Sequence, residues 1–273
     1  MNHRILAVVV TYFPEKELLE RNIDAFINEI DKILIWENTP EKAKNQYRYI
    51  DDSKVEYCGD GLNSISRGLN FAWRYARKNG YDYLLTMDQD SVLFHFEALK
   101  EYAFLHSAEM MIFGPTFSQS MSMPSLTAIR KEVIITSGML IPIKVLDHLG
   151  GYNENFAIDG IDVELCLRAN LQGFFSYQVN GCLIQQRYGQ PLVKYRRGVK
   201  HVIDSYPAKR LRSILKAHVY LMRKYPSMSY KKRREIKTYL IKRRIKEILL
   251  FEDNKIPKCY NLVLGIIEGM LKR

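Results

Sequence analysis

The sequence predicts an α/β protein: a mostly parallel sheet flanked by helices, followed by a basic helical extension. Three observations carry this. Short apolar, β-branched runs alternate with segments of helical periodicity as far as about residue 190. The strand-like runs are continuously apolar, as in strands buried on both faces. The charge is divided, with 18 basic and 24 acidic residues in 1–193 but 23 and 6 in 194–273, a net of +17 there within +11 for all 273 residues. The expected organisation is an α/β domain over 1–205 and a basic α-helical extension over 206–273.

The elements follow in order. ILAVVV (Ile5–Val10) reads as the first buried strand. EKELLERNIDAFINEI repeats apolar residues at helical spacing. KILIWEN is a second strand and VEYCG a short third. SISRGLNFAWRYARKNG is a helix closed by Gly80, since glycine commonly terminates helices. YDYLLTM is the next strand, and VIITSGMLIP (Val133–Pro142) another, broken at Ser137-Gly138. Asn153–Gly160 reads as a loop, with a helix starting near Asp162 and ending at Gly173. GCLIQQRYG is a last strand. From about Pro207 the pattern is long, basic and helical.

Composition narrows the function. At 47% hydrophobic the chain fills a sizeable core. No apolar run approaches the ~20 residues of a membrane span, and no secretory signal is evident, so a cytoplasmic protein is expected. Cys58, Cys166, Cys182 and Cys259 are widely spaced and form no C-x-x-C pair, which favours free thiols. The basic extension calls for an anionic partner, or is a solvated helical surface.

In mostly parallel sheets, ligands bind outside the carboxyl ends of the strands. Those ends carry Thr11-Tyr12, Glu37-Asn38 and Asp88-Gln89-Asp90, all expected on one rim. Two carboxylates one residue apart repel unless a cation lies between them. Oxygen ligands suit Mg²⁺ or Mn²⁺, which take their remaining ligands from water and substrate phosphates. DQDSV also fits the nucleophile motif of haloacid-dehalogenase-type phosphatases. There the motif ends the first strand, whereas here three strand-like runs precede it. Asp162, a carboxylate at a helix start after a Gly-containing loop, is a candidate general base, or else merely caps the helix.

VVVTYFPEKELLERNI, DKILIWEN, NGYDYLLTMDQDS, TSGMLIP and GYNENFAIDGIDVELCLRANLQG stand in an order that resembles the inverting family-two glycosyltransferases of the GT-A fold, in particular bacterial rhamnosyltransferase-like members. The resemblance covers about residues 4–190. It implies that Asp90 and Asp88 hold the metal and the nucleotide diphosphate, and that Thr11, Tyr12 and Glu37 line the base and ribose pocket. It further implies that Ser137 and Gly138 approach the donor sugar, that Asp162 is the base, and that Asp159 and Glu164 lie on the acceptor side. Glu164 and Arg168 also make an i,i+4 pair.

Two stretches depart from the family. GLNSISRGLN has Ser64 where relatives carry Gly, with Asn63 shifted by one. Near LIQQRYG, Gln185 or Gln186, with Arg187 beside them, stands where many relatives have His. The donor implied is a dTDP- or UDP-linked sugar, rhamnose or another hexose. The acceptor implied is a saccharide or lipid-linked saccharide of cell-surface polysaccharide synthesis, at the inner face of the cytoplasmic membrane. Residues 206–273 would then meet the anionic membrane surface. A basic nucleic-acid-binding protein is the alternative from another class, but no zinc, Gly-rich RNA or helix-turn-helix pattern supports it, and no nucleic acid is expected.

Overall fold

The computed structural model describes residues 3–40, 44–117, 127–186 and 190–272. The chain forms two compact units, Met1–Gln186 and Arg187–Arg273.

The first unit is built on a nine-stranded mixed sheet. Its strands are β1 (Ile5–Thr11), β2 (Lys32–Glu37), β3 (Val55–Cys58), β4 (Tyr83–Asp88), β5 (Val92–Phe94), β6 (Ile112–Phe117), β7 (Ala128–Lys131), β8 (Met139–Pro142) and β9 (Ser176–Gln185). The order is β3-β2-β1-β4-β8-β6-β9-β5, with β7 also on β9. Strands β3, β2, β1 and β4 are mutually parallel. Strand β8 runs against β4 and β6, while β6 and β9 are parallel. β5 and β7 run against β9. Most strands therefore share one direction, as expected.

The helices are α1 (Lys16–Asp24), α2 (Ile65–Lys78), α3 (Phe96–Leu105), α4 (Ile143–Leu149) and α5 (Ile161–Leu171). Side chains alternate across a strand, and the two faces of β1 show it. Ile5, Ala7 and Val9 enter one core cluster with Leu19 and Ile23 of α1, Phe26 just after it, and Phe96, Leu99 and Ala103 of α3. Leu6 and Val8 are just as buried but lie outside that cluster, on the face where α2 packs on β1 and β4. Helices on both faces leave strand interiors no polar role, hence the continuously apolar runs.

One element differs from expectation. Within Val133–Pro142 only Met139–Pro142 is strand. Gly138 adopts φ +78°, and its N–H donates to the Thr86 carbonyl across 2.7 Å. The β-branched run before it leaves the ladder instead of lengthening β8, although Ser137 Oγ still accepts from Asp88 N–H of β4.

In the second unit β10 (Gln190–Arg196) and β11 (Val199–Ser205) form an antiparallel hairpin. Then come α6 (Ala208–Lys224), α7 (Tyr230–Glu235), a π-helical stretch (Ile236–Arg243), α8 (Arg244–Phe251) and α9 (Lys255–Leu271). Helices α6 and α9 lie in close contact. A Cβ on Gly265 would sit 2.5 Å from the Arg212 carbonyl oxygen, and one on Gly269 2.7 Å from that of Lys216. Glu268 pairs with Arg212 and, at 3.4 Å, with Lys216. All four cysteines are free thiols. Among the described residues, no helix is long and apolar enough to cross a membrane.

Candidate active site

The register fixes the rim. Thr11 pairs with Glu37, and Val10 pairs with Asp88, so β1, β2 and β4 end together. Thr11 is buried, and its carbonyl accepts from Asn38 N–H at 2.8 Å. Glu37 is also buried, and Arg48 bridges to its Oε2 at 3.2 Å. Beyond Thr11 the chain turns through Phe13, at φ +46°, whose N–H donates to Thr39 Oγ1 at 2.9 Å. A non-glycine residue in that region is strained and is held there by its surroundings. Tyr12 and Phe13 are 45% and 43% exposed. Their rings meet edge to face, as do those of Phe13 and Tyr47. An aromatic ledge thus stands beside buried Glu37.

Gln89 joins two strand ends. Its side-chain oxygen accepts from Tyr12 N–H at 2.6 Å, and its side-chain amide donates to the Tyr12 carbonyl at 3.2 Å. Asp88 is held from three directions. Its N–H donates to Ser137 Oγ at 3.1 Å, its carbonyl accepts from the Asn22 side-chain amide, and its Oδ2 accepts from Gln186 Nε2 at 2.9 Å. The sheet explains the last contact: Val92 of β5 lies opposite Gln185 of β9, which carries the next residue back over the Asp88–Ser91 turn. Gln186 is therefore the residue on Asp88, while Gln185 is exposed. Arg187 lies outside the described residues. Asp90 is partly buried in the same turn. Ser137 is fully buried, and a Cβ on neighbouring Gly138 would lie 2.7 Å from Pro115 Cγ.

Thr11, Tyr12, Glu37, Asp88, Ser137 and Gly138 thus form one bonded neighbourhood. Asn22 and Gln186 also belong to it; sequence reasoning did not single out Asn22 and left Gln186 as one of two candidates. Asn22 had a signal: it is a polar residue within the apolar stripe of α1, between Leu19 and Ile23. The buried oxygens Asn22 Oδ1 and Gln186 Oε1 accept no hydrogen bond. Orphaned buried acceptors are uncommon and mark places where a cation or water is wanted. Two carboxylates and spare amide oxygens are a hard-oxygen set that fits Mg²⁺ or Mn²⁺ completed by water and phosphate oxygens. Among the described residues no group of three or more His, Cys, Asp or Glu forms a metal cluster on its own.

The loop before α5 is tied to this rim through α2. Asn38 Oδ1 accepts from Ser64 N–H at 3.4 Å. Ile65 N–H, one residue on, donates to the Ala157 carbonyl at 2.7 Å. Asn70 of α2 donates to the Tyr152 carbonyl and accepts from Tyr152 N–H, at 2.9 and 2.7 Å. Burial pushes the Tyr152 phenol well above its ordinary range, so it stays neutral. Gly160, at φ +80°, delivers the chain into α5. Asp162 is partly exposed in the first turn. Its Oδ1 accepts from Val163 N–H at 2.8 Å, and its other oxygen has no partner among the described residues. Asp159 is partly buried just before the helix. Glu164 points the other way: it is 1% exposed and pairs with Arg168 at 2.9 Å. Arg168 also donates to the Leu149 and Gly151 carbonyls, so this pair closes the loop between α4 and α5.

No family model matches the chain. It is 25% identical to the dTDP-rhamnosyl transferase RfbF of Shigella flexneri, over 99% of this chain and 96% of that protein. It is also similar in fold to the crystal structure of GalNAc-T7 with UDP, GalNAc and Mn²⁺, at a TM-score of 0.60 and 10% identity. That match covers 99% of this chain, which spans 56% of the GalNAc-T7 chain. The chain has the GT-A fold, and its likeness to both proteins supports a nucleotide-sugar glycosyltransferase. The polar rim is the part of this fold where the ends of β1, β2 and β4 converge, the position at which such sheets bind ligands. Asp88 ends the fourth strand of this fold, not the first as in the phosphatase motif.

Proposed function

We propose that this glycosyltransferase is an inverting, metal-dependent enzyme that moves rhamnose from dTDP-rhamnose to a saccharide acceptor in cell-surface polysaccharide synthesis. The observation that carries the reading is the bonded rim of Tyr12, Gln89, Asp88, Ser137 and Gln186. It surrounds two carboxylates and two orphaned amide oxygens. Similarity to the Shigella dTDP-rhamnosyl transferase supports the donor.

In this reading the exposed Tyr12–Phe13 ledge stacks on the base and Glu37 faces the ribose. Asp90 and Asp88 hold Mg²⁺ or Mn²⁺. The ion, when bound, neutralises the departing diphosphate. Ser137 and Gly138 border the sugar, where the glycine's missing side chain permits close approach. Asp162 takes the acceptor hydroxyl proton on its unpartnered oxygen while the hydroxyl oxygen attacks the anomeric carbon from the face opposite the diphosphate. Asp159 contacts the acceptor. Glu164, committed to Arg168, positions the loop that carries both.

The second unit places the enzyme on an anionic membrane bearing a lipid-linked acceptor. The supporting observation is α9. From Ile256 to Leu271 its exposed residues, among them Tyr260, Val263, Ile267 and Met270, include no charge. A helix face of this kind within a strongly cationic unit suits an anionic interface. A thermal-shift screen of nucleotide sugars with and without Mn²⁺ tests the donor. Stabilisation by dTDP-rhamnose that needs the ion is expected, and indifference to every nucleotide sugar would sink the reading.

A further inference from the structure

The second unit contains an open cavity of about 690 Å³ between the β10–β11 hairpin and the segment running from the π-helix into α8. Arg196, Arg197, Arg243 and Lys246 line it, against one carboxylate, Glu247. That carboxylate is already occupied, lying 2.7 Å from Arg243 and 3.1 Å from Arg244. Arg196, Arg197 and Lys246 have no carboxylate partner among the described residues. Apart from His201 the rest of the wall is apolar. Val199, Val202 and Leu250 are partly solvent-exposed in it, and the His201 and Phe251 rings meet in a tilted contact with centroids 4.6 Å apart.

The hairpin tip is unusual. Arg196 and Val199 are its last pair, leaving the two-residue turn Arg197-Gly198 with φ +51° and +76°. Such turns require positive φ at both residues and favour Asn or Asp before Gly. Arginine gains nothing from that backbone conformation, so its presence calls for a role of the side chain, and Arg197 lines the cavity.

We infer that this cavity binds an alkyl or prenyl phosphate, the phosphoryl group on the arginines and lysine and the hydrocarbon on the apolar wall. Guanidinium groups match phosphate oxygens in geometry as well as charge, and the exposed Val199, Val202 and Leu250 account for a chain that a free phosphate lacks. No residue of the carboxylate rim lines it, and it does not depend on which sugar is transferred. It refines the membrane part of the proposed function by naming the headgroup chemistry recognised.

The test is calorimetric titration of the full chain, without nucleotide sugar, using octyl phosphate, inorganic phosphate and octyl glucoside. Octyl phosphate should bind more tightly than either of the others. Arg197→Gly removes the cation and relaxes the turn, so it should keep or raise the melting temperature while weakening octyl phosphate about tenfold. Lys246→Ala should weaken binding in the same sense. Unchanged octyl phosphate affinity in the variant combining Arg197→Gly with Lys246→Ala overturns the site, and inorganic phosphate binding as tightly as octyl phosphate overturns the amphiphile. Phosphatidylcholine vesicles doped with phosphatidic acid or with polyprenyl phosphate then separate a membrane phospholipid from a carrier lipid. Loss of binding by Arg197→Gly to either supports the site, and loss to neither counts against it. No transfer is measured, so failure here and failure of the transferase reading remain distinct results.

Discussion

Gln186 Nε2 donates to Asp88 Oδ2 across 2.9 Å, with the same amide's oxygen buried and unbonded. A neutral amide therefore holds the carboxylate assigned to the diphosphate. Exchanging the two ends of the amide would turn an oxygen toward a cation shared with Asp88. Gln186→Glu should strengthen Mn²⁺ binding in the absence of nucleotide by about tenfold, because a carboxylate is the better hard ligand. Titration followed by the Mn²⁺ paramagnetic signal reads it, and unchanged affinity argues against a metal at Asp88. Asp90→Ala should remove Mn²⁺-dependent nucleotide binding in the same measurement.

Asp162→Asn keeps a side-chain oxygen for Val163 N–H but loses the proton acceptor. Its kcat should fall by about 10²–10⁴-fold, with nucleotide affinity changed less than about twofold. Transfer at the wild-type rate would remove Asp162 from the mechanism.

Glu164→Gln leaves Arg168 as an uncompensated charge near the Leu149 and Gly151 carbonyls. Breaking a buried pair typically costs about 3–5 kcal/mol, and a glutamine that retains hydrogen bonds should lie at or below the low end. Denaturant unfolding checks the loss, while kcat per folded molecule should stay within a few-fold of wild type. A normal stability with lost acceptor affinity would instead make Glu164 an acceptor contact.

The sequence made the parallel half of the sheet plain because strands covered on both faces leave unbroken apolar runs, as at Ile5–Val10. It also located the Asp162 helix start, since Gly160 and the following periodicity are local signals. The path of Val133–Gly138 was not legible in that way. Those residues favour strand, and the contact that diverts them, Gly138 N–H on the Thr86 carbonyl, joins segments about fifty residues apart. The choice of Gln186 over Gln185 was hidden for the same reason: it depends on the pairing of Val92 with Gln185, which no local pattern encodes.

Glu268 should make the docking of α9 on α6 acid-sensitive. Its hydrogen bond to Arg212, helped by Lys216, holds its carboxyl below the ordinary value. A carboxyl depressed in the folded state contributes stability above its unfolded value, near 4.5, and loses it as pH falls through the lower folded value. Thermal melts of wild type should therefore decline below about pH 4.5 more steeply than those of Glu268→Gln. Parallel curves would show that the pair contributes nothing measurable.

Val263→Glu with Ile267→Glu places two charges on the uncharged face of α9. Sedimentation with phosphatidylglycerol-containing vesicles should fall several-fold while the circular dichroism spectrum is retained. Undiminished sedimentation would assign membrane contact to another surface.

Gln89 gives the spacing of the two aspartates a meaning beyond ligand geometry. The backbone ladder between β1 and β4 stops at Val10 and Asp88, yet the Gln89 amide repeats both of its hydrogen bonds on Tyr12, a side chain acting as a surrogate peptide. The sheet therefore continues for one rung past the point where its strands separate. Movement of the aromatic ledge therefore pulls on the aspartate turn, which in the proposed function couples nucleobase recognition to diphosphate capture.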